Sequence, residues 1–210
     1  MLETNYKNIS EVFICHSYRF HAIPKNFNTN KKLIGLIRDP KKFYISLYFW
    51  TKKGHSAYII PKKFKQQAQD ICNSVNSDKE NFKNFMNFIY KIDNGFTKND
   101  HWWGKRIDYR DVYKYDIGPY TGIYTMMYLN NNYDYLINNR SYMDYLINCD
   151  NINDDIIRIF KNIGYNVDKF INDIPTFEKL NIQEYQSNSF IDEELSKIIE
   201  RKERYIPIIR

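Results

Sequence analysis

Leu33-Ile34-Gly35-Leu36-Ile37-Arg38-Asp39-Pro40, continuing as Lys41-Lys42-Phe43-Tyr44-Ile45-Ser46-Leu47-Tyr48, decides the fold. Its first five residues are apolar or glycine and lie between Lys32 and Asp39-Pro40. That is the pattern of a short parallel strand buried on both faces. Pro40 then restarts the chain as a helix, because its fixed φ suits a first turn and its missing N–H costs nothing there. Arg38 therefore stands at the C-terminal edge of a strand, where open α/β sheets bind ligands. Ser46 follows eight residues on, inside the helix. A guanidinium, a hydroxyl and a helix N-terminus converging on one point make a phosphate cradle.

Working outward, Val12–Cys15 and Met143–Cys149 read as two further strands, which with residues 33–37 give a small parallel sheet. Lys62–Val75 reads as a helix. Ser77-Asp78-Lys79-Glu80 has the capping-box spacing, and Phe82, Phe85, Met86 and Ile89 trace one helical face behind it. Pro119 starts a helix through Tyr120, Ile123, Tyr124 and Met127, which the polar run Asn130-Asn131-Asn132 ends. Asn138-Asn139 marks another turn. Ile156, Ile159, Phe160 and Ile163 share a face, with Gly164 placed to cap their helix. Residues 94–118 read as a long aromatic-rich loop or a partly helical excursion. With no internal repeat and no linker, the chain reads as one α/β domain spanning residues 1–210.

Composition narrows the function classes. A length of 210 residues buries a real core, and 43% hydrophobic with 27% charged residues is ordinary for a globular protein. The formal charge of +6 favours an anionic partner mildly. The pairs Lys31-Lys32, Lys41-Lys42, Lys52-Lys53 and Lys62-Lys63 are scattered between apolar segments and read mostly as solvated faces. Cys15, Cys72 and Cys149 contain no Cys-x-x-Cys pair, so neither zinc nor a disulfide framework is indicated; Cys15 and Cys149 read as small core residues. No run of about 18 apolar residues exists to span a membrane.

The order strand, Arg-Asp-Pro, five residues, Ser, then aromatics resembles the 3′-phosphate-binding segment of the sulfotransferases. Three other stretches fall in that family's order. Val12-Phe13-Ile14-Cys15-His16, leading to Ile23-Pro24, is similar to a family strand that ends in His. Met143–Asp155 resembles its late strand and the helix start after it. Tyr185 and Phe190–Leu195, running on through Ile198, Ile199, Arg204 and Tyr205, resemble its last helix. The resemblance implies a P-loop-NTPase-like fold with a small parallel sheet flanked by many helices. It implies transfer of a sulfuryl group from 3′-phosphoadenosine 5′-phosphosulfate (PAPS) to a hydroxyl or amine acceptor, without a metal. Carried over residue by residue, it makes His16 the general base and gives Arg38 and Ser46 the 3′-phosphate. The family's first strand, phosphosulfate-binding loop and helix have no counterpart: Met1–Glu11 hold no glycine, and nothing reads Gly-x-x-x-x-Gly-Lys-Ser/Thr. The expectation is thus an N-terminally incomplete sulfotransferase-like domain.

Blander roles stand beside each of these. Arg38 could pair with Asp39, and Ser46 could bond back to its own turn. His16 would suit general-base work with an unperturbed pKa of ~6.5, but a lone His at a strand end also serves structure. His21 is a weaker candidate for the same role. Trp102-Trp103 beside His101, Lys105 and Arg106 fits an acceptor wall or a stacking platform, or anchors the excursion to the core. Asp108, Asp111 and Asp116 lack the spacing of a metal loop. The acceptor stays open among carbohydrate, protein and small-molecule hydroxyls. A soluble, cytoplasmic setting is expected, or the Golgi lumen if the chain is a truncated relative of the anchored eukaryotic enzymes. Two other classes remain: a sulfotransferase-like domain that binds a nucleotide or partner without turnover, and a basic nucleic-acid-binding protein. Nucleic acid is the less expected partner.

Overall fold

Residues 12–14, 32–55, 60–91, 114–129, 132–138, 140, 142–169 and 189–206 are described by a computed structural model of the chain. Among these residues, three parallel strands form a sheet in the order β1 (Val12–Ile14), β2 (Lys32–Ile37), β3 (Tyr145–Asn148). Ile14 pairs with Ile34, and β3 runs alongside from Ile34↔Tyr145 to Ile37↔Asn148. Helices make up most of the remainder, so the α/β reading with a small parallel sheet holds.

The apolar run of β2 is what places it in the middle. Leu33 and Ile37 enter the main core, while Ile34 packs on the opposite face with Ile147 and Ile159. Leu36 departs from the doubly buried expectation. It follows Ile34 on that second face and remains 37% exposed.

Pro40 opens α1 (Pro40–Lys52), and the Asp39 carboxylate caps it by accepting from Lys42 N–H at 3.0 Å. A tight turn at Lys62–Phe64 leads into α2 (Lys65–Cys72), shorter than the 62–75 expected because a turn follows Cys72. α3 (Asp78–Lys91) starts where the capping box predicted, with Glu80 N–H donating to the Ser77 hydroxyl at 3.3 Å. Phe82, Phe85, Met86 and Ile89 on its inner face are all 0% exposed. Each such side chain taken from water contributes roughly 1.5–3 kcal/mol. They close on Tyr48 of α1, whose ring meets Phe82 and Phe85 edge-on at 5.5 and 5.7 Å.

α4 (Pro119–Tyr128) also begins on a proline, as expected, and stops before the asparagine run. A five-residue α5 (Tyr133–Ile137), capped by Asn132, sits between the two turn signals and had no pattern of its own in the sequence. α6 (Ile152–Asn162) ends as Gly164 suggested. Gly164 N–H and Tyr165 N–H return to Lys161 and Phe160 carbonyls at 3.0 Å each, and the Tyr165 ring meets Phe160 at 5.5 Å. α7 (Glu193–Lys202), capped by Asp192, is the last helix and stops short of Arg204-Tyr205.

Glu203, the residue after α7, is 3% exposed. It lies at the N-terminus of α4, whose own cap, Gly118, has no side chain to offer. Its Oε2 accepts from Thr121 N–H at 2.7 Å and from the Thr121 hydroxyl at 2.6 Å, and its Oε1 accepts from the Tyr44 hydroxyl. A Cβ on Gly118 would fall 1.7 Å from Oε1, so glycine there is what admits the carboxylate. The helix N-terminus favours negative charge, yet burial is the larger effect and holds the carboxyl above its ordinary pKa.

Removing the Glu203 side chain is expected to cost about 2–4 kcal/mol, since it orphans buried donors. Gly118→Ala should cost a similar amount by expelling it, and the double substitution less than the sum. Urea denaturation of the three variants measures this; strict additivity would break the link. Because the folded carboxyl binds its proton more tightly than the unfolded one (~4.3), its contribution is fullest below that value. It declines as pH rises through the folded pKa. The stability advantage of wild type over Glu203→Gln should therefore shrink between pH 5 and pH 8, and a widening gap would contradict it.

Candidate anion-binding site

In a parallel strand, successive residues turn their N–H and C=O to opposite neighbours. Leu33 and Ile37 turn theirs to the β3 side, where their carbonyls accept from Asp144 and Cys149 N–H at 2.9 and 2.8 Å. Leu36 and Arg38 turn to the β1 side, beyond the last described pair, Ile14↔Ile34. Two tyrosines of α4 supply their partners. Leu36 N–H donates to the Tyr128 hydroxyl at 3.0 Å, which donates to Leu36 O at 2.7 Å. Arg38 N–H donates to the Tyr120 hydroxyl at 2.8 Å, which donates to Arg38 O at 3.0 Å. Gly35 lets the Tyr128 ring this close, since a Cβ there would stand 3.1 Å from Cε1.

Arg38 thus leaves the middle strand at its C-terminal end, on a backbone held by a side chain. Its own side chain is half-buried and carries no ion pair or side-chain hydrogen bond among the described residues. The neighbouring cations are engaged. Lys41 pairs with Glu200 of α7 at 2.6 Å, and Lys42 with Asp150, just past β3, at 3.0 Å.

Ser46 is half-buried on the outer stripe of α1, one turn beyond Lys42 and one before the half-exposed Trp50. From Pro40 to Ser46 the helix rises about 9 Å. Arg38 and Ser46 therefore reach one phosphate only when the guanidinium folds back along the stripe, with Lys42 between them. At the helix N-terminus the Asp39 carboxylate already takes the Lys42 N–H. An anion at this edge would accordingly meet the side chains of Arg38 and Ser46, with the Lys42–Asp150 pair between them, more than free backbone donors.

Cys149, read from sequence as a core residue, is only half-buried and sits past the end of β3. Burial pushes its thiol up, Arg38 opposes that shift, and Asp150 adds to it. Cys72 is the buried one, its thiol pushed up to about 12. The general-base candidates His16 and His21, and the cluster His101, Trp102, Trp103, Lys105 and Arg106 with Asp108 and Asp111, lie outside the described residues. Asp116 is described, and it pairs with Lys202 of α7.

Sequence reasoning missed Lys42, Asp150 and Tyr120 as neighbours of Arg38, and Tyr128 as the partner of the Leu36 backbone. Tyr120, Tyr124 and Tyr128 recur at every fourth position, an aromatic stripe with polar tips that was a readable signal. Nothing local marked Lys42 or Asp150.

Among the described residues, no group of three or more His, Cys, Asp or Glu could hold a metal ion, and no helix is long and apolar enough to cross a membrane. No family model, curated protein or solved structure matches the chain.

Because Arg38, Lys42 and Ser46 are partly exposed and bear little of the packing, each alanine substitution should change stability by less than about 1 kcal/mol. Chemical denaturation checks this. A loss as large as that of a core truncation would make the cluster structural.

Proposed function

We propose that this edge of the sheet holds the 3′-phosphate of 3′-phosphoadenosine 5′-phosphosulfate and that the chain is a sulfotransferase of P-loop-like fold. One observation carries the reading: Arg38, half-buried and without a side-chain partner among the described residues, at the C-terminal end of the middle parallel strand and immediately before a proline-started helix. Ligands of open α/β sheets gather there. A guanidinium left without a counter-ion is suited to a bidentate phosphate. Ser46 offers a hydroxyl on the same stripe, past Lys42, whose charge is already paired with Asp150.

The donor supplies a sulfuryl group on a bisphosphate leaving group. The acceptor oxygen attacks sulfur, the sulfur–oxygen bond to the 5′-phosphate breaks, and the acceptor's proton passes to a base, the role we give His16. Arg38 and Ser46 act at the non-reacting end. Binding energy there lowers the barrier only when it holds the sulfur in line for attack. The acceptor is a carbohydrate, protein or small-molecule hydroxyl.

A second reading, a nucleotide-binding domain without turnover, is favoured by one feature. The chain has no Gly-x-x-x-x-Gly-Lys-Ser/Thr stretch to receive the 5′-phosphosulfate. Both readings share the 3′-phosphate site and differ in product.

Calorimetric titration with 3′-phosphoadenosine 5′-phosphate should show binding that 5′-AMP does not reproduce. Arg38→Ala should weaken it by about 100-fold, as expected for a lost charge-assisted pair of roughly 1.5–3 kcal/mol. Equal affinity for both nucleotides, or none for either, would remove the donor site. Sulfated product from PAPS and a phenol or sugar acceptor would then separate enzyme from binder.

A further inference from the structure

Arg38 is usable only if its guanidinium leaves the strand in one direction, and no described strand holds the backbone from which it leaves. Tyr120 holds it. The hydroxyl accepts from Arg38 N–H and donates to Arg38 O, closing a two-bond clasp on a single residue. The ring is fixed as well: Phe43, from the first turn of α1, stacks on it at 4.1 Å and 15°. At its other end, Tyr120 N–H donates to the Tyr44 hydroxyl at 3.3 Å, and that hydroxyl is engaged by Glu203. Burial raises the Tyr120 phenol above its ordinary range, so it stays protonated and can donate and accept at once.

We infer that Tyr120 is a positioning residue for Arg38, its hydroxyl clasp setting the direction in which the guanidinium enters the anion site. This rests on the donor-site reading of Arg38. The fold supplies its own control. Tyr128 makes the same clasp on the same strand two residues earlier, on Leu36, whose side chain carries no charge. A purely structural role predicts equal consequences for the two tyrosines, whereas a positioning role predicts different ones.

The test compares Tyr120→Phe, Tyr128→Phe and Arg38→Ala, all in a Cys15→Ser background. Both phenylalanine variants keep their rings, and thermal denaturation confirms folding. The first readout is calorimetric affinity for 3′-phosphoadenosine 5′-phosphate. Tyr120→Phe should weaken it about five- to ten-fold, the loss of one net hydrogen bond's worth of ordering, with Tyr128→Phe at wild-type affinity. The second readout needs no nucleotide. The Cys149 thiol, whose titration Arg38 and Asp150 push in opposite directions, reports where the guanidinium lies, while Cys72 is fully buried and out of the reagent's reach. The pH profile of iodoacetamide alkylation at Cys149 should move upward in Tyr120→Phe, toward that of Arg38→Ala, and stay put in Tyr128→Phe.

Equal effects of the two tyrosine variants on both readouts would overturn the inference, as would an unmoved Cys149 profile in Tyr120→Phe. If no variant, wild type included, binds the bisphosphate, yet the Cys149 profile separates Tyr120 from Tyr128, then Tyr120 still positions Arg38 and only the donor-site reading falls.

Discussion

One buried carboxylate ties the segment after α7 to α1 and α4. Glu203 follows α7, Tyr44 lies in α1 and Thr121 in α4, and all three meet at the N-terminus of α4. Taking a carboxyl group out of water is costly, and burial holds its pKa up while the Thr121 and Tyr44 donors replace its hydration. The consequence reaches the sheet. α4 is the helix whose tyrosines complete the hydrogen bonding of β2, so the packing of a C-terminal residue bears on the geometry of Arg38. Lys41–Glu200 and Lys83–Glu194 also tie α7 down, but as partly exposed pairs they add little.

Much of the fold was legible because several segments obey simple rules at once. Leu33–Ile37 is too short and too apolar for anything but a buried strand, and Asp39-Pro40 could only restart the chain as a helix. α3 announced itself through Ser77 and a face of four apolar residues. Gly164 read as a cap and is one. What escaped were features with no local signature. α5 is five residues long, below the span over which a 3.6-residue period shows. α2 stops early at Cys72, and Leu36 is exposed although Ile34, on the same face, is buried against Ile147 and Ile159. No periodicity in one segment records what lies over it.

The site divides along the same line. Arg38 was singled out because strand ends are special places in α/β sheets, and Ser46 because of the motif it completes. Partners contributed by distant elements were not. Asp150 reaches Lys42 across 108 positions of sequence, and Glu203 reaches Thr121 across 82. Such pairs are set by topology. Asp39 shows the converse limit: read as part of a phosphate motif, it also fills one of the donors that a phosphate would use.

The tyrosine clasps on Leu36 and Arg38 have one more effect. A parallel partner could lengthen its ladder with β2 past Ile34 only by taking those same N–H and C=O groups, and they are already spoken for. The hydroxyls therefore act as stops that bound the sheet on that side. A passing extended segment, from this chain or another copy, meets saturated backbone instead of a template, and the strand end stays open for side-chain chemistry without inviting strand-to-strand aggregation.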